Sequence, residues 1–548
     1  MTLLADPFTE IAVKPFPDQK PGTSGLRKKV ARFQEPHYIE TFVQAIFDTV
    51  PALKGGRLVL GGDGRYLNAE ALQIILRMAA ANGVRDILIG RDGILSTPAA
   101  SHLIRLRGAD AGIILSASHN PGGPGGDFGI KLNMENGGPA SETVTRRLFE
   151  RTRSLTSYKT LHHSDLDLSC PGQVKIGPAR VEIVDPVADY ADLMATQFDF
   201  EAIRRYAASG AGVVFDAMNA VTGPYAKEIF EQRLGFPEGT VWNGEPLTDF
   251  GGCHPDPTPV HAKALLEFMT SSDGPAFGAA SDGDGDRNLV FGRGGPVSPS
   301  DSLALLTEHA HLVPAFRNGL TGVARSMPTS SAVDRVAEAL ELSVHETPTG
   351  WKFFGNLLDA GLVGLCGEES AGTGGAHIRE KDGLWAVLFW LNILAVTGQT
   401  VEALLKAHWS RFGRTFYVRH DYEDLDQSLA QETIDHLAAS VKRYAGVSLG
   451  GLQVKTADVF EYQDPVAGEV SKNQGLRFQF RNSERLILRL SGTGTSGATL
   501  RIYMERHETA AKTFGAPVAT VLAPLRRAYK DLLALEDLFG RSKPDAVV

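Results

Sequence analysis

Through the first third of the chain, short apolar runs alternate with a helix-period stretch: RLVL at 57–60, ALQIILRMAAANG at 71–83, DILIG at 86–90 and AGIIL at 111–115. Four- and five-residue runs of this kind predict strands, and the longer stretch between them predicts a helix, which together read as an α/β signature. Asn68 is the expected N-cap of that helix and Gly83 the residue just past its end. The same grammar returns at AGVVFDAMN (211–219) and GLVGLCGEES (361–370), so three similar mixed α/β units are expected. In each, the apolar run ends in a loop rich in Gly, Asp, Ser or Glu. Open α/β sheets hold ligands beyond the carboxyl ends of their strands, so these loops are expected to carry function. Past residue 413 the pattern changes to FYVRHDYED, GLRFQF and RLILRLS, with a helical stretch over 426–444. That predicts a final α+β domain with mostly antiparallel strands. The expected domains are 1–190, 191–297, 298–412 and 413–548, with the polar stretch 154–180 an irregular excursion inside the first.

A chain of 548 residues is too long for one core, which agrees with several domains. The formal net charge of −9 argues against a protein that coats nucleic acid, so any anionic ligand must be caught locally. Cys170, Cys253 and Cys366 are too few and too scattered for a disulfide framework or a CxxC zinc site, which favours a reducing compartment. The N-terminal segment lacks the basic and apolar regions of a secretory signal, and no apolar run approaches the length of a membrane span. A cytoplasmic protein without membrane or nucleic-acid partners is expected.

The strongest local signal is AASDGDGDRN at 279–288. Asp282, Asp284 and Asp286 alternate with glycines, which lets three carboxylates converge on one hard cation around a tightly curved backbone. A calcium EF-hand loop would need Gly and Glu where Arg287 and Arg293 stand, and a plain acidic turn would not require the strict spacing. In LSASHNPGGPGGDFGIKLN (115–133), Ser118 follows an apolar strand and precedes His119 and a glycine-rich loop, with Lys131 further on. A serine at a strand end is exposed enough to act as a nucleophile, although the same residues also make ordinary turns. The G-x-S-x-G elbow of an α/β hydrolase is missing.

RLSGTGTSGATLRIY (489–503) satisfies G-x-G-x-x-G, but a strand rather than a helix is expected after it, which disfavours a dinucleotide site. A strand–loop–strand cradle flanked by Arg489 and Arg501 suits a phosphate, and a Gly/Thr hairpin is the plainer alternative. In LCGEESAGTGG (365–375), Glu368 and Ser370 offer a carboxylate and a hydroxyl suited to polyol recognition. ETPTGWKFF (346–354), HIREKDG (377–383) and PGTSGLRKKV (21–30) add Thr349, Gly350, Lys381, Thr23 and Arg27, each ordinary when taken alone.

Taken in order, PGTSGLR, SASHNPGG, SDGDGDR, PTGWKF, GEESAG, REKDG and RLSGTGTSGATLR resemble the α-D-phosphohexomutase superfamily over residues 21 to about 503. The resemblance implies four domains around a central cleft: three of mixed α/β type and a smaller fourth. It implies that Ser118 is a phosphoserine and that Asp282, Asp284 and Asp286 hold Mg2+ together with an oxygen of the serine phosphate. Arg287 is assigned to the metal loop, and Thr23, Arg27, Thr349, Gly350, Glu368, Ser370 and Lys381 to substrate binding. Arg489, Ser491, Gly492, Thr493, Gly494, Thr495 and Arg501 match the loop that grips the non-reacting phosphate. His119, Lys131 and Lys381 are unranked candidates for proton transfer. The implied activity interconverts glucose 1-phosphate and glucose 6-phosphate through glucose 1,6-bisphosphate, which is both intermediate and activator, in a monomer or weak dimer. A bisphosphate synthase, a pentose-phosphate mutase or a non-catalytic phosphosugar binder are the competing readings. Ala371 stands where many relatives carry an aromatic residue after GEES, although the GEES form itself resembles the glucose-acting members.

Overall fold

The computed structural model describes residues 8–22, 24–491 and 497–548. Its first three sheets share one device. In the first, the buried strands Ala111–Leu115, Arg57–Gly62, Asp86–Ile94 and Ala179–Val184 run parallel, and Asp127–Met134 returns antiparallel against Ala111–Leu115. In the second, Phe277–Ser281 lies parallel to Val213–Asp216 and is followed by antiparallel Asn288–Gly292. In the third, Leu365–Glu368 lies parallel to Gly322–Ser326 and is followed by antiparallel Gly372–Gly375. A parallel strand, a loop at its carboxyl end and an antiparallel return thus occur three times, and each strand end and loop holds one of the motifs: Ser118, the aspartates, or Glu368 and Ser370. The central parallel strands Arg57–Gly62 and Ala111–Leu115 are buried and almost wholly apolar because both faces of their sheet are covered.

The fourth sheet is antiparallel and seven-stranded. Glu484–Ser491 pairs with Ala498–Glu508, placing Arg489 directly across from Arg501. The expected helix after residue 426 runs over Gln427–Ser440, with the Asp426 side chain accepting from Leu429 N–H, and a short 3-10 turn continues to Tyr444. His420 and His507 sit on strands of this sheet. Burial, with Arg526 nearby, pushes His420 down to about 4, and burial with Arg335 does the same to His507. A histidine depressed in the folded state contributes stability above its unfolded value and loses it as pH falls. His420→Gln removes this penalty, so its melting temperature relative to wild type should rise as pH drops from about 6.5 towards about 4; a pH-independent difference in thermal unfolding would contradict this.

The three α/β units are not packed as separate beads. One apolar cluster joins Val59 and Ile114 of the first sheet, Phe215 and Val290 of the second, and the helix Gly383–Thr397, whose Trp385, Phe389 and Trp390 are fully buried. Among the described residues no single helix is long and apolar enough to cross a membrane; this helix and Val401–Phe412 pass only as a pair bent by 87°, and the first of them is the shared core.

Two local expectations fail. Asn68 is the first residue of the helix Asn68–Ala81 rather than its cap, because Leu67 takes the cap position with φ 75° and makes no side-chain cap. The preceding turn is set instead by a buried Asp63–Arg65 ion pair, in which Asp63 also accepts the Arg65 backbone N–H. Gly83 does sit past the helix end, with φ 82°. The stretch 154–180 is not irregular throughout: Ser157–Thr160 pairs with Thr9–Ala12, and Gly172–Ile176 forms a hairpin with Ala179–Val184 at the edge of the first sheet. The strand Gly172–Ile176 exposes four of its five residues, so it carries almost no apolar signal.

Candidate active site

Ser118 lies three residues past the strand Ala111–Leu115 and is buried, with a left-handed φ of 54°. A non-glycine residue in that region is strained and must be held by its surroundings. Three contacts hold it. Its N–H donates to Ser116 Oγ at 2.7 Å, its carbonyl accepts from the Arg65 guanidinium at 2.6 Å, and its Oγ donates to Asp282 Oδ2 at 2.9 Å. The serine and metal loops touch so closely that a Cβ at Gly283 would lie 2.4 Å from the Ser118 carbonyl oxygen, which is why glycine is required there.

Asp282, Asp284 and Asp286 are all buried, and each offers a carboxylate oxygen within 4.8 Å of the others. Asp282 Oδ1 accepts the Arg287 backbone N–H at 3.0 Å. Asp284 Oδ2 accepts from Thr97 Oγ1 at 2.6 Å and from Lys131 Nζ. Lys381 Nζ stands 3.2 Å from Asp286 Oδ1. Burial raises Asp282 well above the usual carboxylate range, with Asp286 and Asp284 adding to the effect. Burial works the same way on Asp284, but the Lys131 charge overcomes it and holds Asp284 ionised. Lys131 is in turn held charged against burial by Asp284 and Asp286. Asp284 Oδ1 is buried without a hydrogen-bond partner, and Asp286 Oδ1 is buried with only the Lys381 ammonium beside it. Converging oxygens with unused lone pairs in a buried acidic cluster fit a hard divalent cation, so the triad can hold a metal ion.

These groups open onto a cleft of about 740 Å3 bounded by all four sheets. Burial raises Glu368, and its Oε1 accepts the Gly350 N–H at 2.9 Å. Ser370, Thr349, Arg27, Arg287, Ser491 and Arg501 also face this cleft. Thr349 Oγ1 is buried without a partner. Arg501 is about a quarter exposed and is loosely paired with Asp421 at 3.9 Å. The loop at Ala371 and the start of the helix at Gly383 are both stitched to the aspartate segment, since Asn288 N–H donates to the Ala371 carbonyl at 3.0 Å and Gly383 N–H to that of Gly285 at 3.0 Å.

Sequence profiles match nearly the whole chain: those described as phosphoglucomutase/phosphomannomutase alpha/beta/alpha domains I, II and III cover residues 18–159, 188–295 and 299–412, and that of the phosphoglucomutase-1 C-terminal domain covers 414–545. The chain belongs to the phosphoglucomutase/phosphomannomutase family. Within the family it is 53% identical to a phosphoglucomutase of Rhizobium radiobacter, over 98% of this chain and 99% of that one. It is 49% identical to a phosphoglucomutase of Schizosaccharomyces pombe over the same shares. A solved structure of the Paramecium phosphoglucomutase parafusin in an open form superimposes with a TM-score of 0.90 at 43% identity, covering 99% of both chains.

Of the family residues expected from sequence, the structure brings Ser118, His119, Lys131, the three aspartates, Arg287, Lys381, Arg27, Thr349, Gly350, Glu368, Ser370, Ser491 and Arg501 around one site. Arg489 does not join the cleft lining; its guanidinium donates to Tyr503 Oη at 3.2 Å. Thr23, Gly492, Thr493, Gly494 and Thr495 lie outside the described residues. Sequence reasoning missed Thr97, Arg65 and Glu380. Glu380 lines the cleft, accepts from Asn133 Nδ2 at 3.0 Å, and is pushed up to about 7 by burial, with Lys131 opposing and Asp286 adding. Its only sequence signal was its place in HIREKDG beside Lys381.

Proposed function

We propose that this chain interconverts glucose 1-phosphate and glucose 6-phosphate, with Ser118 as phosphoryl carrier and glucose 1,6-bisphosphate as the intermediate that turns over in the cleft. The observation that carries this reading is Ser118 Oγ, 2.9 Å from Asp282 in the buried triad, in one cleft with Glu368 and Arg501. The phosphoglucomutase relatives over nearly the full chain support it.

Arg501 and Ser491 grip the phosphate that does not react, since a guanidinium binds phosphate through charge-assisted hydrogen bonds. With Oε1 of Glu368 engaged by Gly350, Oε2 is left to accept sugar hydroxyls. A free sugar hydroxyl then attacks the phosphorus of phospho-Ser118: the new O–P bond forms, the Ser118 O–P bond breaks, and the hydroxyl proton is passed on through the groups of the cleft to the departing Ser118 oxygen. Mg2+ held by Asp282, Asp284, Asp286 and the serine phosphate would supply neutralisation of charge on the transferring oxygens. After the bisphosphate reverses its orientation, the other phosphate returns to Ser118 by the same exchange.

The three proton-transfer candidates have different surroundings. Burial, with Arg287 and Arg27 nearby, holds His119 well below its ordinary value, so it is neutral, and Nδ1 lies 3.4 Å from Ser118 Oγ. His119 is therefore the group to exchange a proton with the serine oxygen. Lys131, engaged by Asp284, Asp286 and Thr97, serves as a fixed positive charge. Lys381, which lines the cleft beside Glu368, remains for the sugar hydroxyl. The net charge of −9 and the reduced cysteines support a cytoplasmic enzyme, acting as a monomer or weak dimer, whose partner is a hexose phosphate rather than nucleic acid or membrane.

Purified protein given glucose 1-phosphate, Mg2+ and a trace of glucose 1,6-bisphosphate should form glucose 6-phosphate; a rate no higher than a protein-free blank would overturn the reading. Arg501→Ala should raise KM for glucose 1-phosphate by about tenfold or more, the loss of one charge-assisted contact, while kcat stays within about threefold. Steady-state kinetics separates the two, and a loss confined to kcat would contradict the assigned role.

A further inference from the structure

The loop over residues 376–382 brings Lys381 to the cleft, yet it lies between the return strand Gly372–Gly375 and the core helix Gly383–Thr397 and belongs to neither. Side chains hold it instead. Asp382 is the N-cap of the helix, and its Oδ1 accepts the Trp385 N–H at 3.0 Å. A cap needs only that one bond. Here the carboxylate is fully buried and has two more partners: Tyr190 Oη donates to Oδ1 at 2.5 Å, and His377 Nε2 lies 2.9 Å from Oδ2. Tyr190 is buried and comes from the helix Ala188–Gln197 at the start of the second domain. The buried His377 ring lies flat on Trp385, with centroids 4.6 Å apart and planes 8° from parallel. The Asp382 N–H donates to the Thr373 carbonyl at 2.8 Å.

The residues on either side of Asp382 both reach the aspartate segment. Lys381 Nζ stands 3.2 Å from Asp286 Oδ1 and lines the cleft with Glu368. Gly383 N–H donates to the Gly285 carbonyl, and a Cβ at Gly383 would lie 2.2 Å from the Arg287 carbonyl oxygen, so glycine is required for this approach. The Lys381 ammonium ends a flexible four-carbon stem, so it is only as well placed as the peptide that bears it. A buried carboxylate that loses one partner is left short of hydrogen bonds, which costs more than the same loss at an exposed cap. Asp382 therefore has more partners, drawn from two domains, than starting a helix requires.

We propose that Tyr190, His377 and Asp382 form a buried clamp that fixes the Lys381–Gly383 peptide against the aspartate segment, an inference that rests on Lys381 serving the sugar hydroxyl. None of the three touches the reacting atoms; they are positioning residues that act through Lys381. Misplacement of a reacting group by a fraction of an ångström lowers turnover more than ground-state binding.

The test uses full-length variants. Tyr190→Phe, which removes one hydroxyl from the clamp, should lower kcat by about fivefold while KM for glucose 1-phosphate stays within about twofold. In a Lys381→Ala background the same substitution should change kcat by less than about twofold, because the group it positions is gone. His377→Ala should lower kcat by about tenfold, and His377→Gln should recover most of that loss, since its amide N–H can still donate to Asp382. Hydrogen-exchange mass spectrometry should show the peptide holding Gly383 exchanging faster in Tyr190→Phe than in wild type, whether or not either is active. A fivefold loss that persists in the Lys381→Ala background, an effect confined to KM, equal loss in His377→Ala and His377→Gln, or unchanged exchange at Gly383 would overturn the proposal. Absence of mutase activity in wild type would instead overturn the assigned function, with hydrogen exchange still deciding whether the clamp holds the loop.

Discussion

Ser118→Ala is expected to abolish interconversion, lowering kcat by at least about 10^4-fold, because it removes the hydroxyl proposed to carry the phosphoryl between half-reactions. The argument rests on placement. Ser118 Oγ is seated on the aspartate triad, at 2.9 Å from Asp282, and the strained loop that presents it is held at the Ser118 carbonyl by Arg65. Alanine keeps the left-handed backbone no worse than serine does, so the fold should survive and the melting temperature should stay near wild type. A coupled assay for glucose 6-phosphate reads the result. Residual turnover within about a hundredfold of wild type would mean that the phosphoryl group passes by another route.

Asp284→Asn should lower kcat on the order of 10^2 to 10^3-fold, with KM for glucose 1-phosphate changed only a few-fold. Asp284 is held below the usual carboxylate range against its burial by Lys131 and the Thr97 hydroxyl, so it keeps its negative charge in the buried triad. The amide removes that charge: its oxygen can take the Oδ2 place and still accept from Thr97 and Lys131, but an NH2 then stands at the Oδ1 position and cannot ligate a cation. Raising Mg2+ should restore little of the lost rate. Recovery of wild-type kcat at high Mg2+ would show that the carboxylate sets only metal affinity.

Much of this site was legible because its chemistry is written in adjacent residues. Three carboxylates at two-residue spacing, a serine after AGIIL and the GEES loop each announce themselves within ten positions, and each follows an apolar run that forms a buried strand. Their meeting in one cleft was not legible from periodicity; it came from the ordered resemblance and is met in the structure by the repeated strand–loop–return device. Thr97 was invisible because its partner Asp284 lies 187 positions away. Arg65 looked like a loop residue, yet with Asp63 it forms the buried pair that sets the Ser118 carbonyl and displaces the helix start from the cap expected at Asn68. Arg489 carried the same signal as Arg501, but its hydrogen bond goes to Tyr503 instead of the cleft. The hairpin at 172–184 escaped notice because its outer strand is polar and solvated, as edge strands often are.

The central claim is that Ser118 itself carries the phosphoryl group. Peptide mass spectrometry after incubation with glucose 1,6-bisphosphate and Mg2+ tests it directly: the account predicts one added phosphoryl group on Ser118, lost again on exposure to excess glucose 6-phosphate, whereas an unmodified Ser118 in protein that is turning over, or a phosphate on another residue, would contradict it.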